Sequence, residues 1–241
     1  MDRVFDIHNH ILPGVDDGSK DMDMSLRMLK IAAEDGITDI ILTPHNKPNR
    51  RNLYTDELKA HVAELEKLVS DNGLNIRLYA GNEVYYRSDI FERLSIGKAS
   101  AMAGSRYVLI EFSPADDWDY IKSGIYSILS EGYLPIIAHV ERYINVVDHP
   151  ERAYELKSMG CVIQLNADSV MGELGYKVKQ FCKKMLKDRK VDLIASDAHN
   201  DGKRSPKLHK CISKVASKYG EETAVRIFRD NPMKIINDEY I

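Results

Sequence analysis

Seven times along this chain a short, β-rich apolar run gives way to a longer stretch of helical period, and no other feature limits its fold so tightly. The expected strands are residues 4–8, 39–43, 76–80, 107–111, 135–139, 161–165 and 192–195. Helical patterning is expected near 21–35, 55–71, 88–95, 117–131, 149–159, 171–189, 205–219 and 221–229. In the first of these helices Met24, Met28, Ile31 and Ala32 recur at helical spacing, and Gly36 follows as a stop signal. Asp148, ahead of His149-Pro150-Glu151, reads as an N-cap. Strands alternating with helices pair in parallel through right-handed crossovers. Seven units are one short of an eight-fold barrel, and a doubly wound open sheet is the alternative. With 241 residues and no Gly/Ser-rich linker, residues 1–241 are expected to form one α/β domain.

The candidate ligating side chains fall where those strands end. Asp6-Ile7-His8-Asn9-His10 closes the first strand, and Asp16-Asp17-Gly18 lies in its loop. His45 follows the second strand and Glu83 the third, Glu111 ends the fourth, and His139-Val140-Glu141-Arg142 ends the fifth. Ser196-Asp197-Ala198-His199 follows the seventh. The carboxyl-terminal rim of parallel strands is where α/β barrels build active sites. His8 and His10, at i and i+2, share a face if the strand continues that far. A carboxylate such as Glu111, after Tyr-Val-Leu-Ile, costs several kcal/mol at the end of a buried strand unless it is paired or binds metal. Pairing with Arg142 is the purely structural reading.

His8, His10, Asp17, His45, Glu83, Glu111, His139, Asp197 and His199 are too many donors for one ion, which needs about four. They suit two or three divalent ions. A set without thiolate favours Mn, Fe or Zn at an N/O site. Asp16 and Asp17 compete for one position; Gly18, which permits a tight turn, tips the choice to Asp17.

Other features exclude functions. The formal net charge of −3 offers no electrostatic attraction to nucleic acid or an anionic membrane. No apolar run reaches the roughly 18 residues of a membrane span. Cys161, Cys182 and Cys211 are scattered, as in a reducing compartment, so the protein is expected to be cytoplasmic. Six positions after each stand Ala167, Asp188 and Ser217, so no Cys-x5-Arg phosphate loop exists. His61, His149 and His209 lie among polar residues on expected helices and read as solvated. The run Lys47-Pro-Asn-Arg50-Arg51 is either a contact for an acidic peptide or a solvated loop. Gln164 and Asn166, ending the sixth strand, bond substrate or order water near the site.

Taken in order, Asp-Ile-His-Asn-His, Thr-Pro-His, Ile-Glu-Phe, His-Val-Glu-Arg and Ser-Asp-Ala-His resemble the polymerase-and-histidinol-phosphatase (PHP) superfamily. Residues 6–18 and 135–143 are similar to the bacterial protein-tyrosine phosphatases encoded with capsule and exopolysaccharide genes. The resemblance runs from residue 5 to about residue 236. It implies a distorted (β/α)7 barrel, a three-metal site, manganese first, made of the nine residues named above, and dephosphorylation of phosphotyrosine on the tail of a bacterial tyrosine kinase. Asn46 stands where some relatives place a second His, so no ligand is expected there.

For phosphomonoester hydrolysis, Arg142 and Arg204 are the phosphate-clamp candidates, since a guanidinium offers paired donors to phosphate oxygens. Surface pairing with Asp or Glu is the alternative for each. If a proton is delivered to the leaving group, Asp197 or His199 is placed to do it through water. Two other functions fit the same motifs: a phosphatase for a small ester such as histidinol phosphate, and a non-catalytic, metal-stabilised partner of a kinase. An amidohydrolase barrel would want a mid-barrel lysine, which no expected strand offers.

Overall fold

Strand formation follows the apolar runs, because most of these residues are buried on both faces of the sheet, as parallel strands covered by helices require. The computed structural model describes residues 1–48 and 50–241. Its strands are β1 (Phe5–Asp6), β2 (Asp39–Leu42), β3 (His45–Asn46), β4 (Arg77–Ala80), β5 (Glu83–Tyr85), β6 (Tyr107–Glu111), β7 (Leu134–Ile137), β8 (Val162–Asn166) and β9 (Leu193–Ala195). All pair in parallel, in the orders β1-β2-β4 and β3-β5-β6-β7-β8-β9. Asp197 N donates to His8 O and His10 N to Ala198 O, both at 2.8 Å, and Asn9 bridges Ala198. These bonds join the last strand to the first.

The result is the expected distorted barrel of seven βα units, with two interruptions that the sequence reading did not anticipate. Pro44, which has no N–H to donate, separates β2 from β3, and Gly81-Asn82 separates β4 from β5. Each pair is one expected strand carried on past a break. Two layers of core follow from the period-2 alternation of strand residues. Phe5, Ile41, Tyr107, Leu109, Ile136 and Leu193 point inward with Met102 and Ile235. Their neighbours Ile40, Val108, Ile110, Ile137, Ile163 and Ile194 pack outward against helices. The C-terminal segment closes the bottom: Tyr107 Oη donates to Glu239 O at 2.7 Å, and Arg106 pairs with Asp238 at 2.9 Å.

The inward rows point to the site. Leu109 leads at i+2 to Glu111, Val162 to Gln164 and Asn166, and Ala195 to Asp197. The same alternation that fills the barrel therefore lines its upper mouth.

Several local expectations need correction. The helix expected over 171–189 divides into Ala167–Met171 and Tyr176–Lys187, because Gly172 and Gly175 take the left-handed φ values of 102° and 94°. The last expected helix runs Glu221–Val225, continues through a π-turn at Arg226–Asp230 and resumes at Asn231–Ile236. Asp148 caps no helix N-terminus. It ends the short helix Ile144–Val147 and pairs with Lys177, while Glu151–Ser158 starts after Pro150 without a side-chain cap. Among the described residues no helix is long and apolar enough to cross a membrane.

Candidate metal centre

Five of the eight histidines and four acids converge on the barrel mouth, and Glu83 is at their centre. The β3–β5 register sets His45 opposite Glu83. Fully buried, Glu83 places Oε1 3.3 Å from His8 Nε2 and 2.8 Å from His139 Nε2. Its Oε2 lies 2.6 Å from His45 Nδ1 and 3.5 Å from His10 Nε2. Asp197 Oδ1 is 3.6, 3.4 and 3.5 Å from His8 Nε2, His10 Nε2 and His199 Nδ1. Asp17 Oδ1 faces His45 Nε2 at 3.4 Å and His199 Nε2 at 3.7 Å. Glu111 stands 3.9 Å from both His45 and His139.

These side chains form four overlapping groups whose donor atoms lie within 4.8 Å of one another: His10, Asp17, His45 and His199; His8, His10 and Asp197; His8, Glu83 and His139; and His45, Glu83 and Glu111. All nine residues expected from the sequence are included. A divalent cation fits this arrangement for a reason visible in the chain itself. Glu83 Oε2 meets His45 Nδ1 at 2.6 Å and Glu111 Oε2 meets Lys47 at 2.8 Å, but His8 Nε2, His10 Nε2 and His139 Nδ1 are buried without a hydrogen-bond partner among the described residues. Each such atom costs about 1–3 kcal/mol. Three in one place, beside the acids that converge there, suit cation binding and not ordinary packing.

Asp16 and Asp17 separate clearly. Asp16 holds His10 Nδ1 at 2.7 Å and accepts from Gly18 N and His45 N at 2.9 Å each, leaving Asp17 to face the cluster. Gly18 is required for a reason other than turn geometry: a Cβ there would lie 2.1 Å from His10 O. His8 Nδ1 meets Gln164 Oε1 at 3.2 Å and His199 Nδ1 meets Asp197 O at 2.9 Å, so each ring is oriented by its other nitrogen.

The charges are mutually supporting. Burial opposes ionisation of Glu83 and Asp197, yet the surrounding histidines, with Arg142 for Asp197, hold both carboxyls well below the usual range. Burial also opposes charge on His10, but Asp16 and Asp197 push it up to about 10. His199, buried beside His10, falls to about 4.

Both clamp candidates sit at the edge of the cluster. Arg142 pairs with Asp197 Oδ2 at 2.7 Å and Arg204 with the same oxygen at 2.9 Å, using one nitrogen each. The structural partner considered for Arg142, Glu111, instead meets Lys47 at 2.8 Å. A cavity of about 290 Å³, lined by Arg142, Asn166, Asp168, Leu174 and Arg204 among others, opens beside the two arginines. A second of about 290 Å³ has Asp17, His45, Lys47, Arg50 and Arg51 in its wall. Asn46 donates to Lys98 O and accepts from Arg93, away from the cluster.

Sequence reasoning missed Asp16 as the group that orients His10, and left Gln164 and Asn166 unassigned. The signal for Asp16 was its adjacency to Asp17, which does not tell which of the two faces inward. His149, His209 and His61 lie outside the cluster, and His61 meets Glu64 at 3.8 Å. Cys161, Cys182 and Cys211 are free and buried, and burial pushes the Cys161 and Cys211 thiols up to about 12 and Cys182 higher. None is a nucleophile near neutral pH.

The model of the capsular polysaccharide synthesis CpsB/CapC family matches residues 4–237. The tyrosine-protein phosphatase CpsB of Streptococcus pneumoniae is 32% identical over 243 residues, covering 99% of this chain and 100% of its own length. The tyrosine-protein phosphatase YwqE of Bacillus subtilis is 28% identical, covering 91% of this chain and 86% of its own. A crystal structure from a study of YwqE of Bacillus subtilis and CpsB of Streptococcus pneumoniae, described as unique metal-dependent tyrosine phosphatases, aligns with a TM-score of 0.92 at 26% identity. That alignment covers 98% of this chain and 96% of the other. With the motifs, the barrel and the residue cluster in agreement, the chain belongs to the CpsB/CapC family.

Proposed function

We propose that this chain is a metal-dependent protein-tyrosine phosphatase that acts on the phosphotyrosines of a bacterial tyrosine kinase controlling capsule or exopolysaccharide synthesis. The observation that carries the reading is the set of buried His and acid donors converging on Glu83, bordered by two arginines anchored on Asp197. Three divalent ions would be held, by His8, His10, Glu83 and Asp197; by Glu83, Glu111 and His139; and by Asp17, His45 and His199. Manganese is the first choice, with iron or zinc as alternatives for an N/O donor set. Bound ions of this kind acidify a water molecule and neutralise charge on a phosphoryl group.

The protein's own groups do the rest. Arg142 and Arg204 each spend one nitrogen on Asp197, and the remaining N–H groups can grip phosphoryl oxygens. Asp197 thereby sets the spacing between the arginines and the histidines. Phenolate, with a conjugate-acid pKa near 10, leaves without a dedicated proton donor. If one acts, the proton would come from bound water held by Asp197 or His199, since neither keeps a proton of its own near neutral pH. The test is turnover of a phosphotyrosine peptide, a phosphoserine peptide and histidinol phosphate by chelator-stripped protein, with and without added Mn²⁺. The expected result is Mn²⁺-dependent hydrolysis of phosphotyrosine above the other two. Turnover that survives the chelator overturns the metal reading, and faster turnover of histidinol phosphate overturns the substrate reading.

A further inference from the structure

Strand β8 contributes none of the nine donors, yet its inward residues Gln164 and Asn166, 0% and 2% exposed, touch three of the residues that do. Gln164 Oε1 accepts from His139 N at 2.7 Å and lies 3.2 Å from His8 Nδ1. Gln164 Nε2 donates to Asn166 Oδ1 at 2.9 Å, and Asn166 Nδ2 donates to Asp197 Oδ2 at 2.8 Å. The direction of this chain follows from one obligate donor. The His139 backbone N–H can only donate, so the Gln164 oxygen must face it and the Gln164 nitrogen must face Asn166. Asn166 then presents its own nitrogen to Asp197. By the same logic His8 donates from Nδ1, which turns its Nε2 lone pair to the cluster.

Two of the residues so contacted hold backbone conformations that side-chain-bearing residues rarely adopt. His139 has φ 32° and Asp197 has φ 51°. Such conformations persist only where the surroundings over-determine them. Gln164 secures the first through the His139 N–H. Asn166 joins Arg142 and Arg204 on Asp197 Oδ2, so that Oδ1 alone faces His8, His10 and His199.

We propose that Gln164 and Asn166 are positioning residues, a buried amide chain that orients His8, His139 and Asp197 together and so sets the cation affinity of the donor groups on both sides of β8. The inference rests on the reading that the cluster holds divalent ions. Once those ions are bound, loss of the amide chain weakens two donor groups at once, because one amide serves His8 and His139 and the next serves Asp197.

The test is calorimetric titration of Mn²⁺ into chelator-stripped full-length protein, for wild type, Gln164→Leu, Gln164→Glu and Asn166→Ala. Outer hydrogen bonds to ligands typically govern 10- to 100-fold in metal affinity. Gln164→Leu removes the acceptor for His139 and His8 and should weaken binding by about that factor. Glu in either protonation state keeps an acceptor for His139 and His8 but, when ionised, offers no donor to Asn166, so Gln164→Glu should recover part of the loss. Asn166→Ala should weaken binding roughly tenfold by releasing Asp197 Oδ2. In Zn²⁺-loaded protein, ¹⁵N shifts should show His8 protonated at Nδ1 in wild type and Gln164→Glu, and not uniformly so in Gln164→Leu. Affinities within twofold of wild type for both Gln164→Leu and Asn166→Ala overturn the inference, as does an equal loss in Gln164→Glu and Gln164→Leu. If Gln164→Leu shows no cooperative melt, Asn166→Ala decides by the same twofold criterion. Wild-type protein that takes up no Mn²⁺ overturns the metal reading and this inference together, whereas normal uptake with unaffected variants overturns the inference alone.

Discussion

Replacing Glu83 with Gln keeps the shape of the side chain and removes one negative charge from the centre of the cluster. Four imidazoles lie within 3.5 Å of that carboxylate, and none of its surface reaches solvent. At the 3.3 Å separation of Glu83 and His8, one unit charge pair in an effective dielectric of about 20 is worth about 5 kcal/mol. The Gln carbonyl oxygen remains as a weaker donor, and the lost charge no longer has to be kept out of water, which offsets part of that figure. Retaining half of it leaves about 2.5 kcal/mol, and full loss leaves about 5, a factor of roughly 10² to 10³ or more in cation affinity. We therefore expect Glu83→Gln to bind Mn²⁺ at least 100-fold more weakly in calorimetric titration of chelator-stripped protein, and to lose p-nitrophenyl phosphate turnover at sub-millimolar Mn²⁺. Mn²⁺ affinity within tenfold of wild type, with unchanged stoichiometry, would refute the placement of Glu83 as the shared charge of the site.

Gly18→Ala should displace the Asp16–Gly18 loop, because its Cβ would meet His10 O at 2.1 Å; weakened Mn²⁺ binding with a retained fold is the expected outcome, read by calorimetry and circular dichroism. Arg142→Ala should raise KM for a phosphotyrosine peptide and also lower kcat, since the same guanidinium steadies Asp197; unchanged values for both parameters would remove it from the site. Asp39→Asn tests stability away from the cluster. Burial would raise the Asp39 carboxyl, but Arg3, Arg77 and Thr38 donate to it and hold it below the usual range. Its folded pKa is thus lower than its unfolded value near 3.9, so its stabilisation is full above about pH 5 and disappears as pH falls through the folded value. Denaturant melts should show wild type ahead of Asp39→Asn by about 2 kcal/mol at pH 7, with the lead shrinking as pH falls below the unfolded value near 3.9; a constant gap would contradict the linkage.

Much of this was legible in the sequence for physical reasons. Apolar runs such as Ile40-Ile41-Leu42 and Val108-Leu109-Ile110 are buried on both faces, and only a covered parallel sheet does that to consecutive residues. Polar His and acid residues immediately after such runs must lie at one end of the sheet, whatever its closure. That placed His8, His45, Glu111, His139 and Asp197 on one rim without coordinates. The breaks at Pro44 and Gly81 were less legible, because the expected strands end there and β3 and β5 are two and three residues long. The split at Gly172 and Gly175 was hidden by flanking segments that are each helical.

Tertiary structure alone decided how the donors share one another. Asp16 and Asp17 are chemically identical neighbours, and only the position of His10 and the close approach of Gly18 make one an orienting group and the other a face of the cluster. Both amides of β8 look like ordinary strand polar residues until the closed barrel brings His8, His139 and Asp197 around them. The sequence by itself determined which side chains reach the barrel mouth, because burial and strand period act locally. Which atom of each faces which neighbour depended on contacts between different elements, some far apart in the chain, such as His8 with Gln164 and His10 with Ala198, and local patterning carries no information about those.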